Sequence, residues 1–288
     1  MRASGVVAAL VAACGGGDGA SPDAVTIVRV HYPAGGQVLT LRGSTPPLSW
    51  STGTALTAGA DDTWTFVTTA LLAPAEIKPL LDDSTWSRGP NYHVAPGQSV
   101  DLYPHFTGTL GRVVTRVPSL HSTALGNDRA IHAYLPASYD ENPRARYPVL
   151  YMHDGQNLFD PATAFGGVEW RVDEALDAAG ESGRCADGAG CLSDADCSAS
   201  SSLCLATRET IVIGIDNTAQ RIDELTPTVE PLAGAGGDAD LYLMMVAGEL
   251  KPLVDAMLRT APGPADTGIM GSSLGGLVSV YAGVSRPD

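Results

Sequence analysis

The segment Gly271-Ser272-Ser273-Leu274-Gly275-Gly276 has the residue types and the spacing of a nucleophilic serine. It follows the apolar residues 267–270 and precedes the small residues 277–283, so the pattern predicts a sharp turn from a strand into a helix. A serine hydroxyl is a weak nucleophile; such a turn exposes it, and the glycines remove side chains that would clash there. We therefore predict that Ser273 is a nucleophile. The alternative is a turn that only packs the helix onto its sheet.

A second polar group, His153-Asp154-Gly155-Gln156, follows the apolar residues 149–152. A reaction that attacks a carbonyl needs backbone N–H groups aimed at the oxyanion that forms. Leu274 offers one such N–H, and Gly155 or Gln156 is the candidate for the other, unless the segment is only a polar turn. His153 is a candidate site residue, although support of the turn is favoured over a role as a base.

Alternating strand and helix patterns, which begin near residue 111, must position these two turns. Such alternation predicts βαβ units with a parallel sheet. Residues 149–152 and 211–215 are apolar throughout, as expected for strands buried on both faces. The predicted strands are 131–135, 149–153, 211–215 and 268–271, and the predicted helices are 172–179 and 240–259.

The preceding part of the chain has a different pattern. Short β-type runs separated by Gly, Pro and Asp turns, without helical periodicity, predict a small all-β sandwich of the immunoglobulin-like type. We expect this sandwich to span residues 25–108 and the α/β domain to span 109–288. The predicted sandwich strands are 25–30, 38–42, 64–69, 76–81 and 99–103.

Bulk composition excludes some classes of protein. The 288 residues have 44% hydrophobic content and a formal net charge of −15. A nucleic-acid binder needs a basic surface, so nucleic acid is not an expected partner. No apolar run reaches the roughly 18 residues of a membrane-spanning helix.

The N-terminus has the pattern of an export signal. Met1-Arg2 precedes the apolar residues 6–13 and then Cys14, as in a bacterial lipobox whose cysteine is lipidated. Residues 1–24 are thus expected to be a signal and linker. The protein is expected to be exported and either lipid-anchored through Cys14 at the cell envelope or secreted, and its contact with membrane is only through that anchor.

The four other cysteines, Cys185, Cys191, Cys197 and Cys204, fall in a polar insertion at 182–208. In an exported protein this predicts two disulfides, with the three pairings left open. Zinc is the rival, but the segment has no C-x-x-C pair and no histidine. Three aspartates of the insertion are interpreted as solvated rather than as calcium ligands; they are Asp187, Asp194 and Asp196. No metal and no cofactor is predicted.

Residues 112–288 resemble the esterase family that includes esterase D, feruloyl and acetyl-xylan esterases and enterochelin esterase. The matching motifs are MHDGQNLFD (152–160), IGIDN (213–217), RIDELTP (221–227), ELKP (249–252) and GSSLGG (271–276). The resemblance implies a partial α/β-hydrolase fold, a Ser-Asp-His mechanism, and ester substrates that are small molecules or carbohydrates. The site-lining candidates are Asp154, Asp216, Asn217, Arg221 and Glu224, with a purely structural ion pair as the alternative for Arg221 and Glu224.

The chain departs from that family in one respect. The triad order is Ser, Asp, His, yet all six histidines precede Ser273. We expect a truncated reading frame whose isolated product is inactive and aggregation-prone, with an exposed sheet edge. A pseudoenzyme is the alternative.

The N-terminal part resembles starch-binding and glycogen-binding modules in residues 38–43, 47–50, 77–79 and 86–91, and in Trp64. The resemblance implies that Trp50 and Trp86 stack on sugar rings, although burial in the sandwich core is the alternative; Trp64 is predicted to be core. Two functions follow: a serine esterase acting on acylated carbohydrate or a similar ester, and a non-catalytic glycan-binding surface lipoprotein.

Overall fold

A computed structural model describes residues 24–198, 203–232 and 234–286. Its N-terminal part consists of two β-sheets that share one apolar core. One sheet has the order β4-β5-β1-β9, and the other has the order β3-β2-β6-β7 with β8 also paired to β6. The strands are β1 (Thr26–His31), β2 (Leu39–Gly43), β3 (Thr54–Ala55), β4 (Thr57–Ala58), β5 (Thr63–Thr68), β6 (Ala75–Leu81), β7 (Thr85–Trp86), β8 (Tyr92–Val94) and β9 (Ser99–Leu102).

The two sheets bury their facing sides because buried side chains alternate with more exposed ones along a strand. Along β1 every second side chain is buried, as the two-residue period of a strand requires. Val28 and Val30 of β1 join Leu39 and Leu41 of β2 and Ile77 of β6 in one core. The predicted β-rich N-terminal region is therefore present.

The second part contains a mixed sheet with the order β10-β11-β15-β12-β18. β10 and β11 form an antiparallel hairpin, β11 pairs antiparallel with β15, and β15, β12 and β18 run parallel. All five residues of β15 are buried, as predicted for a strand covered on both faces. The strands of this second part of the chain, inside and outside the mixed sheet, are β10 (Arg112–Ser122), β11 (Asn127–Leu135), β12 (Val149–His153), β13 (Gly183–Arg184), β14 (Gly190–Cys191), β15 (Ile211–Ile215), β16 (Val229–Glu230), β17 (Ala235–Gly236) and β18 (Thr267–Met270).

Helices pack on this sheet and complete the α/β class that the sequence predicts. They are α1 (Val172–Glu181), α2 (Arg221–Leu225), α3 (Ala239–Met244), α4 (Lys251–Met257) and α5 (Leu274–Ser285). A π-helical turn, Met245–Leu250, joins α3 to α4, so the helix predicted over 240–259 is present as three consecutive helical segments. Its apolar face supplies Leu243, Leu250 and Val254 to the core beneath the sheet.

The cysteine-rich segment forms two disulfides, as predicted. Cys185 pairs with Cys197 and Cys191 pairs with Cys204, which settles the pairing that spacing left open. These sulfurs are therefore not zinc ligands. Cys14 and residues 1–23 of the predicted signal and linker lie outside the described residues.

Two neighbouring side chains join the N-terminal sheets to the α/β part. The buried amide of Asn142 donates to the carbonyls of His31 and Pro104, at 2.9 Å each. Glu141 accepts hydrogen bonds from the backbone of Thr107 and Gly108 at 2.9 and 3.0 Å. In the portion of the chain that is described, no helix is both long and apolar enough to cross a membrane.

Candidate active site

Three parallel strands end together at one edge of the mixed sheet. In the register, Met152 of β12 lies opposite Met270 of β18, and His153 lies opposite Ile215 of β15. The turns that follow these strands therefore meet at the same edge. Carboxyl ends of parallel strands are where ligands bind in open α/β sheets.

Ser273 lies at the turn between β18 and α5, in an unusual backbone conformation. Its φ is 55° and its ψ is −119°, and its side chain is exposed. A positive φ at a residue with a side chain is strained and is found mainly where function requires it. The predicted strand, sharp turn and helix around Ser273 are all present.

The start of α5 presents backbone N–H groups at this turn. Gly275 N–H donates to the Ser272 carbonyl at 2.9 Å, and Leu277 N–H donates to the Ser273 carbonyl at 3.0 Å. Leu274, as the first residue of the helix, has no acceptor within the helix for its own N–H. That N–H and the positive end of the helix dipole lie next to Ser273, where they favour negative charge.

The glycines of the turn allow the strand, the helix and His153 to pack closely. A Cβ at Gly271 would lie 2.8 Å from His153 Cδ2 and 2.9 Å from the backbone of Gly275. A Cβ at Gly275 would lie 3.2 Å from the His153 Cβ. The sequence pattern G-x-S-x-G thus reflects close packing on His153 as well as the turn itself.

The second predicted oxyanion element follows β12. Asp154 has a left-handed backbone, with φ 58° and ψ 48°, and starts a short 3-10 turn over Gly155–Asn157. A Cβ at Gly155 would lie 2.6 Å from the backbone of Gly214, so this turn is pressed against β15. Since β12 pairs with β18, the turn containing Gly155 and Gln156 and the turn containing Ser273 follow neighbouring strands of the sheet.

His153 is fully buried beneath the serine turn. Its Nδ1 lies 2.7 Å from the Tyr242 hydroxyl and its Nε2 lies 3.2 Å from Ser279 Oγ. Burial lowers the pKa of His153 from 6.5 to about 4, which keeps the ring neutral. The inclusion of His153 among residues that line the substrate site is therefore wrong, because a fully buried ring cannot reach substrate; it supports the turn.

Asp154 is also buried, at 3% exposure, so its assignment as a substrate-lining residue is wrong as well. Its carboxylate accepts two hydrogen bonds from Arg221, at 2.6 and 2.9 Å, and one from Asn217 at 2.7 Å. Burial alone would raise the pKa of Asp154, but these hydrogen bonds and the charge of Arg221 outweigh it and lower the pKa. Asp154 therefore anchors Arg221 and Asn217, both half-buried, at the sheet edge.

Glu224 is likewise buried and is not in contact with the site surface, contrary to its assignment as a lining residue. It pairs with Arg129 of β11 through hydrogen bonds of 2.8 and 3.0 Å, and both side chains are almost fully buried. The Arg129 guanidinium also lies 5.6 Å from the Tyr242 ring centroid, and Tyr242 contacts His153. The alternative of an ion pair between Arg221 and Glu224 is wrong, because Glu224 pairs with Arg129 and Arg221 pairs with Asp154.

Asp216 remains at the sheet edge, half-buried, with its Oδ1 3.1 Å from His132 Nε2. Sequence reasoning missed three supporting residues, Arg129, His132 and Tyr242. No local motif marks them, because each acts through a partner distant in the chain.

Trp50 and Trp86 are exposed on the N-terminal sheets, at 36% and 43%. Their ring centroids are 6.2 Å apart and the rings are inclined by 40°. The Arg42 guanidinium lies 5.1 Å from the Trp86 ring centroid. The alternative that these two tryptophans are core residues is wrong, whereas Trp64 is half-buried and packs against the sandwich core.

A family model described as "Putative esterase" matches residues 122–288. The uncharacterized protein YbbA of Bacillus subtilis (strain 168) is 26% identical over 175 residues, which cover 59% of this chain and 56% of that protein. An IroE-like serine hydrolase from Shewanella oneidensis is similar in structure, with 23% identity, coverage of 62% of this chain and 47% of that chain, and a TM-score of 0.41. The siderophore hydrolase EstA from Aspergillus nidulans is also similar in structure, with 20% identity, coverage of 62% of this chain and 53% of that chain, and a TM-score of 0.38. The chain spans about half the length of these relatives.

Proposed function

The chain belongs to the Putative esterase family, and on that premise we propose that it hydrolyses carboxylic esters with Ser273 as the nucleophile. The observation that carries the proposal is the strained backbone of Ser273, with φ 55° and ψ −119°, at the exposed junction of β18 and α5. Strain of this kind persists only where the surrounding structure enforces it. Here Gly271 and Gly275, on either side of Ser273, pack so closely on His153 that a Cβ at either would lie within 3.2 Å of that side chain.

In the proposed reaction Ser273 Oγ attacks the ester carbonyl carbon and gives up its proton to a base. The N–H of Leu274, with that of Gly155 or Gln156, holds the oxyanion of the tetrahedral intermediate. Loss of the alcohol, which takes up a proton, leaves an acyl-Ser273, and water then releases the acid and restores the hydroxyl.

None of the described residues is assigned as the base. His153, which packs against the serine turn, directs both ring nitrogens to Tyr242 and Ser279. A neutral ring with a pKa near 4 is also a weak base at neutral pH.

The test compares Ser273→Ala with Ser272→Ala in the full-length product of the gene, with p-nitrophenyl acetate as substrate. Ser272 is the matched control, since it is the adjacent exposed serine. We expect kcat/KM to fall by at least about 1,000-fold in Ser273→Ala and to stay within about threefold of wild type in Ser272→Ala. A fluorophosphonate probe should label the peptide that contains Ser273. Equal turnover by Ser273→Ala and wild type would exclude Ser273 as the nucleophile.

For the substrate we propose acyl groups on carbohydrate, with the N-terminal sheets as a glycan-binding surface. The supporting observation is the exposed pair Trp50 and Trp86, since aromatic rings bury large apolar faces against a ligand. Removing either ring should reduce retention on insoluble polysaccharide. Trp170, exposed at 38% in the α/β part, provides the matched control.

Trp50→Ala and Trp86→Ala should each elute earlier than wild type, whereas Trp170→Ala should elute with it. Unchanged retention of both variants would argue against glycan binding at this pair. Because ester hydrolysis is measured separately on p-nitrophenyl acetate, that result would leave the assignment of Ser273 intact.

A further inference from the structure

Three side chains of metal-ligand type meet between the N-terminal sheets and the cysteine-rich segment. Glu76 lies on β6, His93 lies on β8, and Asp194 belongs to the cysteine-rich segment. One ligand atom from each residue lies within 4.8 Å of the other two, and His93 Nε2 is 2.9 Å from Asp194 Oδ1. We propose that Glu76, His93 and Asp194 bind one Zn²⁺ ion, with water in the fourth position.

The spacing of the three ligand atoms fits such an ion. Zinc binds imidazole nitrogen and carboxylate oxygen at about 2.0–2.2 Å, so tetrahedral ligand atoms lie roughly 3.3 Å apart. His93 Nε2 lies 2.9 Å from Asp194 Oδ1, and no two of the three ligand atoms are more than 4.8 Å apart, which is close to that distance. Small rotations of side chains that are only half-buried would therefore bring the three atoms onto one ion.

Hydrogen bonds from neighbouring groups already orient both carboxylates. Glu76 Oε1 accepts hydrogen bonds from Asn91 Nδ2 at 3.1 Å and from the backbone N–H of Asp194 at 2.8 Å. Asp194 Oδ1 accepts one from the backbone N–H of Cys204 at 2.7 Å. Such supporting hydrogen bonds are a regular feature of metal sites, because they fix the direction of each ligand.

The second oxygen of each carboxylate is available to a ligand. Among the described residues, none donates a hydrogen bond to Glu76 Oε2 or to Asp194 Oδ2. The side chains of His93 and Asp194 are 28% and 29% exposed, so solvent and ions reach them.

The donor set selects zinc over the hard cations. Ca²⁺ and Mg²⁺ prefer oxygen ligands, and Ca²⁺ takes six to eight of them. One imidazole nitrogen with two carboxylates, held by a rigid support, suits Zn²⁺ better. The rigid support here is the disulfide Cys191–Cys204, which brackets Asp194.

Zinc at this position would bind the cysteine-rich segment to the N-terminal sheets. The metal-free alternative is a simple polar contact, in which His93 and Asp194 share a hydrogen bond and nothing more. Since a metal that binds only the folded state stabilises it, the two alternatives differ in measurable ways.

The first measurement titrates Co²⁺, a spectroscopic substitute for Zn²⁺, into the disulfide-bonded full chain. We expect the visible absorption band of tetrahedral cobalt to saturate at one equivalent and to disappear on addition of Zn²⁺ but not of Ca²⁺. His93→Ala and Glu76→Gln should each weaken binding by roughly 100-fold or more. His121→Ala is the matched control, because His121 also pairs with an aspartate, Asp128, but belongs to no three-ligand group among the described residues.

The second measurement is thermal unfolding with and without Zn²⁺, which also tests whether each variant is folded. Zinc should raise the Tm of wild type and of His121→Ala, and leave that of a folded His93→Ala unchanged. Absence of a cobalt band in wild type, or equal binding by wild type and His93→Ala, would overturn the proposal. Displacement of Co²⁺ by Ca²⁺ as readily as by Zn²⁺ would overturn the assignment to zinc.

Discussion

At Ser273 the proposed function requires a side chain, whereas the backbone conformation favours glycine. Its φ of 55° and ψ of −119° mirror an ordinary extended backbone and are open to glycine at no steric cost. A residue with a Cβ is strained there by about 1–3 kcal/mol. The strain is consistent with a side chain retained for its chemistry.

This conflict predicts that two substitutions of Ser273 differ in stability although both abolish activity. Ser273→Gly relieves the strain, so its free energy of unfolding should exceed that of Ser273→Ala by about 1 kcal/mol or more. Both variants should lose esterase activity. Urea denaturation measures the difference, and a Ser273→Gly protein less stable than Ser273→Ala would contradict the strain.

A pH dependence of stability should arise at His153. Its pKa is about 4 in the folded protein against 6.5 for a free imidazole. Between pH 4 and pH 6.5 the imidazole is therefore protonated in the unfolded chain and neutral in the folded protein. The contribution of the neutral ring is complete above pH 6.5 and is lost as the pH falls toward 4. The loss should amount to about 3 kcal/mol. In His153→Gln, which cannot titrate, unfolding measured from pH 7 to 4 should depend less steeply on pH; an equal dependence would rule out this origin.

At the scale of secondary-structure elements, the placement of α5 against β18 and β12 depends on the absence of side chains. Gly271 and Gly275 lie against His153, whereas a Cβ at Gly283, near the end of the same helix, would meet no atom within 4 Å. Gly271 and Gly275 therefore allow close packing, whereas Gly283 does not, although all three lie in or beside α5.

Alanine at two of these glycines should separate the roles. Gly271→Ala should cost more than about 2 kcal/mol of stability, since its Cβ meets backbone at 2.9 Å. Gly283→Ala should stabilise the protein by about 0.5–1 kcal/mol, because alanine is the better helix former. Chemical denaturation of both variants gives the comparison, and a Gly271→Ala protein as stable as wild type would mean that the turn is not tightly packed.

At the scale of the whole molecule, Glu141 links the N-terminal sheets to the α/β part. Besides the backbone N–H groups of Thr107 and Gly108, it accepts the hydroxyl hydrogen of Tyr32 at 2.9 Å. Burial would raise the pKa of Glu141, but the hydrogen bonds, first among them that of the Thr107 hydroxyl, outweigh it and lower the pKa to about 2. The carboxylate is therefore favoured in the folded state.

Neutralising this carboxylate should loosen the junction. Glu141→Gln should lower the free energy of unfolding by about 1–3 kcal/mol and speed proteolysis near residues 107–111. For wild type the contribution of Glu141 is complete above its ordinary pKa of 4.5 and is lost as the pH falls toward 2. Asp140→Asn is the control, because Asp140 is 65% exposed and its ion pair is with Arg112. Equal proteolysis of the two variants would contradict the role of Glu141.

The sequence by itself determined the features that depend on neighbouring residues. The apolar runs 149–152 and 211–215 predicted buried strands, and both are present. The motif around Ser273 predicted its sharp turn because glycine spacing is a local constraint. The order of the motifs along the chain likewise indicated the esterase family.

Only the tertiary structure decided which distant residues meet. His153 and Glu224 looked like site residues in the sequence, yet the fold buries one under α5 and the other against Arg129, 95 residues away. The pairing of the cysteines and the meeting of His93 with Asp194 were equally undetermined. The physical reason is that burial and partnership depend on how the elements pack, whereas periodicity along the chain reports only which face of one element is apolar.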